Sequence, residues 1–534
     1  MNVTRVPVLI VGAGAAGLAT SALLAKHGVR SLLVEKRREV FIYPKARNLS
    51  FRSLEILRGL GLSQQVHAVA AHVSEMVTKP SLNSAQEEPA IDIDAIFAGL
   101  DLLSPEPVVQ YCPQSRLEPI LLSATRRAGN EVRYGTELAS FESDESGVAA
   151  VIRDRESGES ETVRADYLVA ADGVHSPVRC ALGITTAGHG ALPIFVVFIY
   201  FRAPWRGLVP HLGDGDGVQI NNTDAPGIFI VAEGDLGMFI TTYLPGQGET
   251  AAQFTPARCR EVLTEAFGAH IDIDIIEVAA WQPYEQVADQ FQCGRIFLVG
   301  DSAHTMPPFK AGGANTAIQS AHNLSWKLAA VLRGTAGPGL LGTYQAERHP
   351  VGRFAARQSL SGPTVALLSF EGDRPQLPAD EEASIFALLV GYRYRSAAVA
   401  TDEPDAVDPD VVEVVKELCG LPGTRVPHVW VQHGGQRVST LDLLDSGFSV
   451  LTAGDAGRWH PAAAAVSDDL GIPIGVHCIS DDEWTAVTGL GPGGALLVRP
   501  DDFVGWRAEE CPSDPESQLY EALSAIMCRT DSRA

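Results

Sequence analysis

The 534-residue sequence lacks several features that would each point to a particular class of protein. No apolar run approaches the roughly twenty residues needed to cross a bilayer, so a membrane-spanning protein is not expected. The eight cysteines show neither C-x-x-C nor zinc-binding spacing, which is typical of reduced thiols in a cytoplasm and predicts no metal site. Because the chain enters an apolar run almost at once, we also expect no signal peptide and a cytoplasmic location.

Positive charge is scarce as well. The chain has 41 Lys and Arg against 65 Asp and Glu, for a formal net charge of −24. Nucleic acids and anionic membranes require a basic face, so neither is expected as a partner. An anionic cofactor must therefore be met by local arginines and helix N-termini. The length allows two or three domains with a substantial core, and nothing in the sequence indicates the oligomeric state.

The segment VLIVGAGAAGLAT at 8–20 has the pattern of a dinucleotide-binding turn. An apolar run over 6–11 predicts a buried strand, and apolar residues at helical spacing predict a helix over 15–26. The glycines between them, Gly12, Gly14 and Gly17, would let the backbone approach a pyrophosphate held by the helix N-terminus. A glycine-rich turn without a ligand is the alternative.

A second apolar run, 31–34, ends in Glu35, eighteen residues after Gly17. A carboxylate there would accept hydrogen bonds from a ribose 2′-hydroxyl and disfavour a 2′-phosphate. A second strand–glycine–helix unit is missing. The glycines near 489–494 have similar spacing, but no strand leads into them and we interpret them as a loop.

Two later segments place aspartates at strand ends. In YLVAADGVHSPVR (167–179) a predicted strand leads to Asp172 and Gly173, and in RIFLVGDSAHTMPP (295–308) another leads to Gly300 and Asp301. An Asp-Gly turn alone is ordinary turn chemistry, but two strand-end aspartates match a hydroxyl-rich ligand.

A long amphipathic helix is predicted to follow the glycines at 312–313. The positive end of its dipole would stabilise negative charge on a ligand placed before it, such as the pyrimidine edge of a reduced flavin.

In this order and at these separations, the three motifs resemble those of the class A flavoprotein monooxygenases of the p-hydroxybenzoate hydroxylase type. The segments RSLEILRGLGL, NLSWKLAAVLRG and YQAERHPVG also resemble that family, across nearly all of the first four hundred residues. The resemblance implies FAD as the cofactor and NADPH as a transient co-substrate. With no second dinucleotide fold in the sequence, NADPH would have to bind elsewhere.

The family's motifs, carried over residue by residue, imply a set of cofactor contacts. For the ADP portion they are Gly12, Gly14, Ala15, Ala16, Gly17, Glu35 and Lys36; for the ribityl and phosphate region, Arg47 and Gln114; for the ribityl chain, Gly300 and Asp301; for the isoalloxazine, Pro308, Gly312, Gly313, Ala314 and Asn315. The Asp-Gly motif, Asp172 and Gly173, is implied to contribute to both FAD and NADPH. The sequence departs from the family before Asn315, where it has Lys310-Ala311-Gly312-Gly313 and many relatives have Gly-Gly-Gln-Gly, and at Ser320, where an Asp is common.

The predicted fold class is α/β, with three domains. A Rossmann-type FAD-binding domain comprises 1–182 and 281–400, and a substrate-binding antiparallel sheet comprises 183–280, with part of 72–100 as a candidate addition. After the charged linker TDEPDAVDPD, residues 411–534 alternate strands and helices. In the long polyketide-tailoring branch this region resembles a thioredoxin fold; without C-x-x-C we expect it to serve packing or assembly.

Segments such as LPIFVVFIYFRAPW alternate apolar and polar residues, which predicts a sheet with one covered face. Its aromatic residues suit a large, flat, apolar ligand on the side that faces the flavin. They are Phe195, Phe198, Tyr200, Phe229 and Tyr243. The alternative is that they only pack the sheet on its helices.

The resemblance implies that FAD reduced by NADPH reacts with O2 to form a flavin 4a-hydroperoxide that hydroxylates a phenol. The polyketide-tailoring branch implies a polycyclic aromatic substrate, and similarity to anthracycline hydroxylases favours an anthracycline aglycone such as aklavinone. Baeyer–Villiger or other oxygenation of an angucycline, tetracycline or ansamycin remains an alternative, as does a non-catalytic aglycone-binding protein. A flavin-dependent halogenase is disfavoured because no WxWxIP segment occurs.

Arg374 and Tyr394 lie where relatives close the flavin domain on the substrate, so both are candidates to orient a phenol or ketone. Surface ion pairing is the alternative for such segments. His304 could act as an acid or base near neutrality, but bracing the turn is favoured. Cys112 is expected to pack rather than to do redox work.

Overall fold

The computed structural model of the chain describes residues 3–529, apart from 41–47, 74–75, 92, 223, 311, 363–372, 374, 404–407 and 409. Two predicted site residues, Arg47 and Arg374, therefore lie outside the described residues, as does part of the linker at 401–410. Within the described part of the chain, no helix is both long enough and apolar enough to cross a membrane.

Helices occur in all parts of the described chain. They are α1 Ala15–Lys26, α2 Phe51–Gly59, α3 Ser63–Val69, α4 Ile93–Phe97, α5 Gln114–Arg127, α6 Pro177–Ala181, α7 Pro256–Phe267, α8 Gly312–Leu332, α9 Gly339–Gln358, α10 Ile385–Leu389, α11 Trp459–Leu470, α12 Asp482–Thr488 and α13 Pro515–Ile526.

The strands fall into several sheets. In chain order they are β1 Val3–Val11, β2 Ser31–Glu35, β3 Asn48–Ser50, β4 Met76–Lys79, β5 Glu88–Ile91, β6 Val109–Tyr111, β7 Glu131–Tyr134, β8 Thr136–Asp144, β9 Gly147–Asp154, β10 Ser160–Ala170, β11 Thr186–Ala191, β12 Phe195–Arg202, β13 Gly217–Ile220, β14 Gly227–Val231, β15 Leu236–Tyr243, β16 Asp274–Trp281, β17 Tyr284–Ala288, β18 Gln292–Cys293, β19 Ile296–Leu298, β20 His304–Thr305, β21 Tyr392–Arg393, β22 Glu413–Val414, β23 Trp430–His433, β24 Gln436–Ser439, β25 Phe448–Ala453, β26 Ile474–Ile479, β27 Ala495–Val498 and β28 Val504–Ala508.

The first sheet has the parallel centre expected of a Rossmann-type domain. Its order is β18-β19-β10-β1-β2-β7, in which the pairs from β19 to β7 are parallel, while β18, β9 and β8 add antiparallel pairs. The C-terminal half of β1 is apolar, and Val8, Leu9 and Ile10 are fully buried, as a parallel strand covered on both faces requires. Because β1, β10 and β19 run in the same direction, the three motifs that follow them meet at one edge of the sheet.

The second sheet has the order β16-β12-β15-β14-β13-β4-β5. It is antiparallel except for the parallel pair of β13 with β4, and its strands β4 and β5 come from residues 76–91. Helix α7 packs on one of its faces through Cys259, Leu263 and Phe267. The other face is turned toward the predicted FAD-binding domain, from which Tyr111 and Leu360 pack against it.

The C-terminal region forms a sheet of order β26-β25-β27-β28, with one parallel and two antiparallel pairs. The predicted α/β fold class with a thioredoxin-like third unit is confirmed. This unit shares a core with helices α8 and α9: the Trp326 ring meets Phe448 edge-on at 5.9 Å, and Trp326 is buried. The domain boundaries given above stay a prediction.

Candidate active site

Glycines bring the three motifs into direct contact. Gly12 has φ +105°, and a side chain there would place Cβ 2.2 Å from the carbonyl oxygen of Ala171. A Cβ on Gly17 would lie 1.9 Å from the Gly12 oxygen, and one on Gly300 would lie 2.7 Å from the Ala16 Cβ. These three glycines are therefore required by the protein's own packing.

Arg179 joins the second motif to the third. Its guanidinium donates to the carbonyl oxygens of Ser302 and Val174, at 2.8 Å each. The Ser302 hydroxyl donates in turn to the Ala170 oxygen at 2.7 Å. The strand ends that carry the two aspartates are thus fixed relative to each other.

Gly14 differs from the other glycines, because the protein alone does not require it. It has φ −78°, and a Cβ would meet only Gln114 Nε2 and Glu118 Oε1, at the ordinary distances of 3.8 and 3.7 Å. Gly14 is the N-cap of α1, and no side chain among the described residues caps that end. The uncapped N-terminus of α1, the absence within the described chain of a close contact at Gly14, and the small Ala15 and Ala16 fit a pyrophosphate.

Gln114 begins α5 and donates to Glu118 within the same helix, so its amide borders the space beside Gly14. Its predicted contact with the cofactor stays a prediction, and the position is compatible with it.

Glu35 is buried at the end of β2 and is held by several donors. The backbone N–H of Ala13 donates to Oε2 at 2.8 Å, and the backbone N–H of Arg37 donates to Oε1 at 2.9 Å. Burial alone would raise the pKa of Glu35, but the hydrogen bonds from Arg37 and Ala13 outweigh it and lower the pKa. Glu35 therefore carries a negative charge that a ribose contact would share with Arg37. Lys36, beside it, is exposed.

Asp172 organises the turn after β10. It accepts hydrogen bonds from the Ser176 hydroxyl at 2.6 Å and from the Val178 N–H at 3.0 Å, at the start of α6. Burial raises the pKa of Asp172 against these hydrogen bonds. Gly173 follows with φ +91°. Asp301, in contrast to the half-buried Asp172, is exposed, just after the end of β19.

Asn315 fixes the start of α8 to β3. Its Oδ1 accepts from the Ser50 N–H at 2.9 Å and the Ser53 hydroxyl at 2.6 Å, while its Nδ2 donates to the Asn48 oxygen at 3.1 Å. Strand β3 pairs with β6, which ends at Tyr111. Through β3, the first turn of α8 is thereby connected to β6, whose last residue, Tyr111, packs against the second sheet.

The other predicted isoalloxazine contacts surround this turn. A Cβ on Gly312 would lie 2.7 Å from the Met306 sulfur, so the chain packs closely there. Gly313 and Ala314 are half-buried, and Pro308 is exposed. Their contacts with a flavin stay predictions.

One face of the second sheet forms an apolar surface against the flavin-binding domain. We call it the interdomain face; its residues are Val196, Phe198, Tyr200, Ile228, Ile230, Met238, Ile240 and Trp281. Phe198 stacks on Trp281 with ring centroids 5.7 Å apart. From the flavin-binding domain, Tyr111 and Leu360 belong to the same cluster.

The structure does not bring the predicted substrate residues together. Tyr200 lies on the interdomain face, whereas Phe229 is fully buried on the opposite face and stacks on Phe267 of α7 at 5.2 Å. Phe195 packs on Tyr243 at 5.4 Å, on that same helix-covered side. Side chains alternate along a strand, so Phe195 and Tyr200, five positions apart in β12, point to opposite faces.

Phe198, another of the aromatic residues predicted from the sequence, does lie on the interdomain face. Trp281 and Met238 also lie there, but they were not predicted from the sequence. The signal that identifies them is their pairing register: Met238 lies opposite Tyr200, and Trp281 lies opposite Val196.

Tyr394 lies away from the interdomain face, against the C-terminal unit. Its ring stacks on Phe503 at 4.2 Å, and its hydroxyl accepts a hydrogen bond from Arg348 at 2.9 Å. Burial holds the pKa of Tyr394 well above its usual value. The predicted catalytic role of Tyr394 is therefore corrected to a structural one, because its hydroxyl is enclosed in the interface between domains.

His304 and Cys112 are both enclosed. His304 is fully buried with Nε2 3.3 Å from the Ser320 hydroxyl, and burial, with the nearby Arg348 charge, lowers its pKa to about 3. A neutral histidine with that pKa braces the turn and does not exchange protons near neutrality. Burial raises the pKa of Cys112 to about 12, so its thiol stays protonated.

Two family models match this chain. Residues 5–359 match the model of the FAD binding domain family, and residues 419–530 match that of the aromatic-ring hydroxylase C-terminal family. The chain is 39% identical over 564 residues to tetracenomycin A2 monooxygenase-dioxygenase of Streptomyces glaucescens, covering 99% of this chain and 98% of the relative.

A second relative, 4-methyl-5-nitrocatechol 5-monooxygenase of a Burkholderia species, is 39% identical over 548 residues, with 98% of each chain covered. Among solved structures, aklavinone-11 hydroxylase in complex with FAD and aklavinone has a TM-score of 0.87 and 32% identity, covering 99% of this chain and 100% of that one. The chain belongs to the family of FAD-dependent aromatic-ring hydroxylases, with FAD as its cofactor.

Proposed function

We propose that this protein hydroxylates a ring of a polycyclic aromatic polyketide, with an anthracycline aglycone such as aklavinone as the expected substrate. The reaction consumes one O2 and one NADPH with a proton. One oxygen atom replaces a ring hydrogen as a hydroxyl group, and the other leaves as water while NADPH is oxidised to NADP+.

The observation that carries this proposal is the interdomain face. Phe198, Tyr200 and Trp281 offer flat aromatic surface, and aliphatic side chains of β14 and β15 extend it. Tyr111, on the other side, ends the strand that pairs with β3, which Asn315 ties to the start of α8. A fused-ring ligand on this face would therefore lie beside the turn predicted to hold the isoalloxazine.

Bound FAD, once reduced by NADPH, supplies the activation of O2. The chain's own residues would bind and orient the ring system and keep water away from it. Apolar walls serve both purposes, since they order a flat ligand and exclude the solvent that would divert the reaction to peroxide release. We further propose that NADPH binds transiently, because the chain has a single dinucleotide-binding turn of the predicted kind.

Arg374 remains our candidate for orienting the phenol. The Arg374→Ala variant is expected to lose most of the coupling between NADPH consumption and product, because a guanidinium favours a phenolate beside it. The Arg374→Lys variant serves as its control and should retain part of that coupling. Unchanged turnover and coupling in Arg374→Ala would remove this residue from the site.

The proposal is tested by adding NADPH to the yellow protein with a panel of substrates and following NADPH loss and product structure. The panel contains tetracyclic aglycones and a single-ring nitrocatechol. We expect coupled turnover of an aglycone and a proton NMR spectrum in which one ring hydrogen is replaced.

Other results would redirect the proposal. Coupled turnover of the nitrocatechol alone would move the substrate class to single-ring phenols, and a lactone product would indicate Baeyer–Villiger oxygenation. Protein that binds aglycone but takes up no FAD would identify a non-catalytic binding protein.

A further inference from the structure

Arg348 is a fully buried arginine of α9 that lies against the second and third turns of α8. Its Nε donates to the Ser320 hydroxyl at 3.1 Å, and its Nη2 donates to the Thr316 carbonyl at 3.3 Å. Its Nη1 donates to the hydroxyls of Tyr394 at 2.9 Å and Tyr392 at 3.3 Å.

Each of these partners is neutral. Burial holds the pKa of Tyr394 well above its usual value, and the Tyr392 hydroxyl donates its proton to Gln319 at 2.9 Å. Arginine does not lose its proton in proteins, so Arg348 is a cation. Among the ion pairs of the described residues, none involves Arg348.

In a neighbouring cluster of buried charges, by contrast, every cation has a carboxylate partner. It contains four cations and four carboxylates joined by short contacts: Lys327, Arg499, Arg52 and Arg425 against Glu347, Asp501, Glu55 and Asp502. The sequence neighbour of Arg348, Glu347, is engaged by Lys327 at 2.7 Å and by Arg499 at 2.6 Å. Glu347 thus belongs to that cluster.

A buried cation without a counter-ion is costly, so its place in the fold calls for a reason. Thr316, which Arg348 contacts, directly follows Asn315, the last of the predicted isoalloxazine contacts. The positive end of the α8 dipole points in the same direction. Both features raise the electrostatic potential at the start of α8.

We propose that Arg348 is a positioning residue that acts through α8 to stabilise the negative charge of reduced FAD, and that Ser320 keeps the Arg348 charge uncompensated. The inference rests on the proposed function, because it requires the flavin to lie at the start of α8. Reduction of FAD adds two electrons and one proton, leaving one net negative charge on the ring. A fixed cation therefore favours the reduced form over the oxidised one.

The test compares Ser320→Asp with Ser320→Asn. The first places a carboxylate beside Arg348, and the second has nearly the same shape without charge. The ratio of reduced to oxidised FAD is measured anaerobically against a reference dye. A unit charge at this depth changes such an equilibrium by about tenfold. We expect Ser320→Asp to lower the ratio by about that factor, about 30 mV for two electrons, and Ser320→Asn to stay within about twofold of wild type.

His304 also faces Ser320, so an introduced carboxylate could draw a proton onto its ring and mask the effect. The pair is therefore repeated in a His304→Gln background, where the same tenfold difference is expected. Arg348→Met should lower the ratio as Ser320→Asp does, and Arg348→Lys should restore it.

Equal ratios for wild type and Ser320→Asp, with FAD bound in both backgrounds, would overturn the inference. An equal fall in Ser320→Asn would do so too, by assigning the effect to packing. Wild-type protein that binds no FAD would instead contradict the proposed function, so the two failures are distinguishable.

Discussion

Buried positive charge lies near both ends of helix α8: Lys327 is part of the helix, and Arg348 reaches it from α9. The surroundings of these two charges differ. Toward its C-terminal end, Lys327 meets Glu347 at 2.7 Å, in a cluster where cations and carboxylates are equal in number. Toward its N-terminal end, Arg348 contacts the hydroxyl of Ser320 and two tyrosine hydroxyls, all neutral.

The difference separates two tasks that one helix performs. The balanced end joins the flavin-binding domain to the C-terminal unit, since Arg499 and Asp501 come from that unit. An interface of this kind needs neutral, well-matched charges, because an unpaired charge would oppose docking. The N-terminal end faces the predicted cofactor, where a surplus of positive charge can be matched by the ligand.

The largest effect is expected from breaking the balanced end with Glu347→Gln. The substitution leaves Lys327 and Arg499 without their shared carboxylate in a fully buried site. Removing one partner of a buried ion pair costs about 3–5 kcal/mol. Urea unfolding should therefore show a loss of that size.

The control is Glu413→Gln, which removes a half-exposed carboxylate paired with Arg395 and Arg393. Both arginines keep Glu403 as a partner, so the substitution should cost less than about 1 kcal/mol. Equal losses in the free energy of unfolding for the two variants would show that the buried cluster contributes no more stability than a surface ion pair. That result would contradict its role in joining the domains.

Acidification should weaken both ends of the helix. Burial lowers the pKa of His304 to about 3 and that of His322 to about 4, against an ordinary value of 6.5. Between about pH 4 and pH 6.5 the unfolded chain therefore binds more protons, so stability falls as pH falls through this window. Each histidine contributes about 1.4 kcal/mol per pH unit.

Urea unfolding at pH 7, 6 and 5 measures this slope. His304→Gln and His322→Gln should each reduce it by one proton, and a slope unchanged in both would contradict the neutral, buried state of these rings.

A smaller effect is expected from Tyr394→Phe at the N-terminal end. The variant loses one hydrogen bond from the charged Arg348, worth about 1.5–3 kcal/mol, while Tyr392 remains as a partner. Coupling of NADPH consumption to product should stay at the wild-type level. A clear fall in coupling would restore Tyr394 as a candidate for the chemistry.

Local features of the fold could be predicted from the sequence. The apolar spacing before Gly28 predicted a helix over 15–26, and the structure has α1 at those residues. Glycines also indicated where strands end, because only glycine allows approaches such as that of Gly12 to Ala171. These features depend on residues that are close together in the sequence, so a local sequence pattern is enough to predict them.

Features that depend on distant residues could not be predicted in this way. Alternation in β12 shows that Phe195 and Tyr200 lie on different faces, but only the fold shows which face meets the flavin-binding domain. The charge cluster is a stronger case: Arg52 and Asp502 are 450 positions apart, and no local pattern pairs them. For the same reason, Tyr394 was expected at the substrate and lies instead against Phe503.

The central claim is that FAD binds at the glycine turn before α1, and FAD titration of the apoprotein tests it most directly. Gly14→Ala should leave the fold intact, because its Cβ meets only ordinary contacts, yet weaken FAD binding by at least about tenfold, since the methyl group occupies the pyrophosphate space. Gly342→Ala, in α9 with open space around its Cβ, should bind FAD like wild type. Equal FAD affinity for wild type and Gly14→Ala, both folded, would contradict the account.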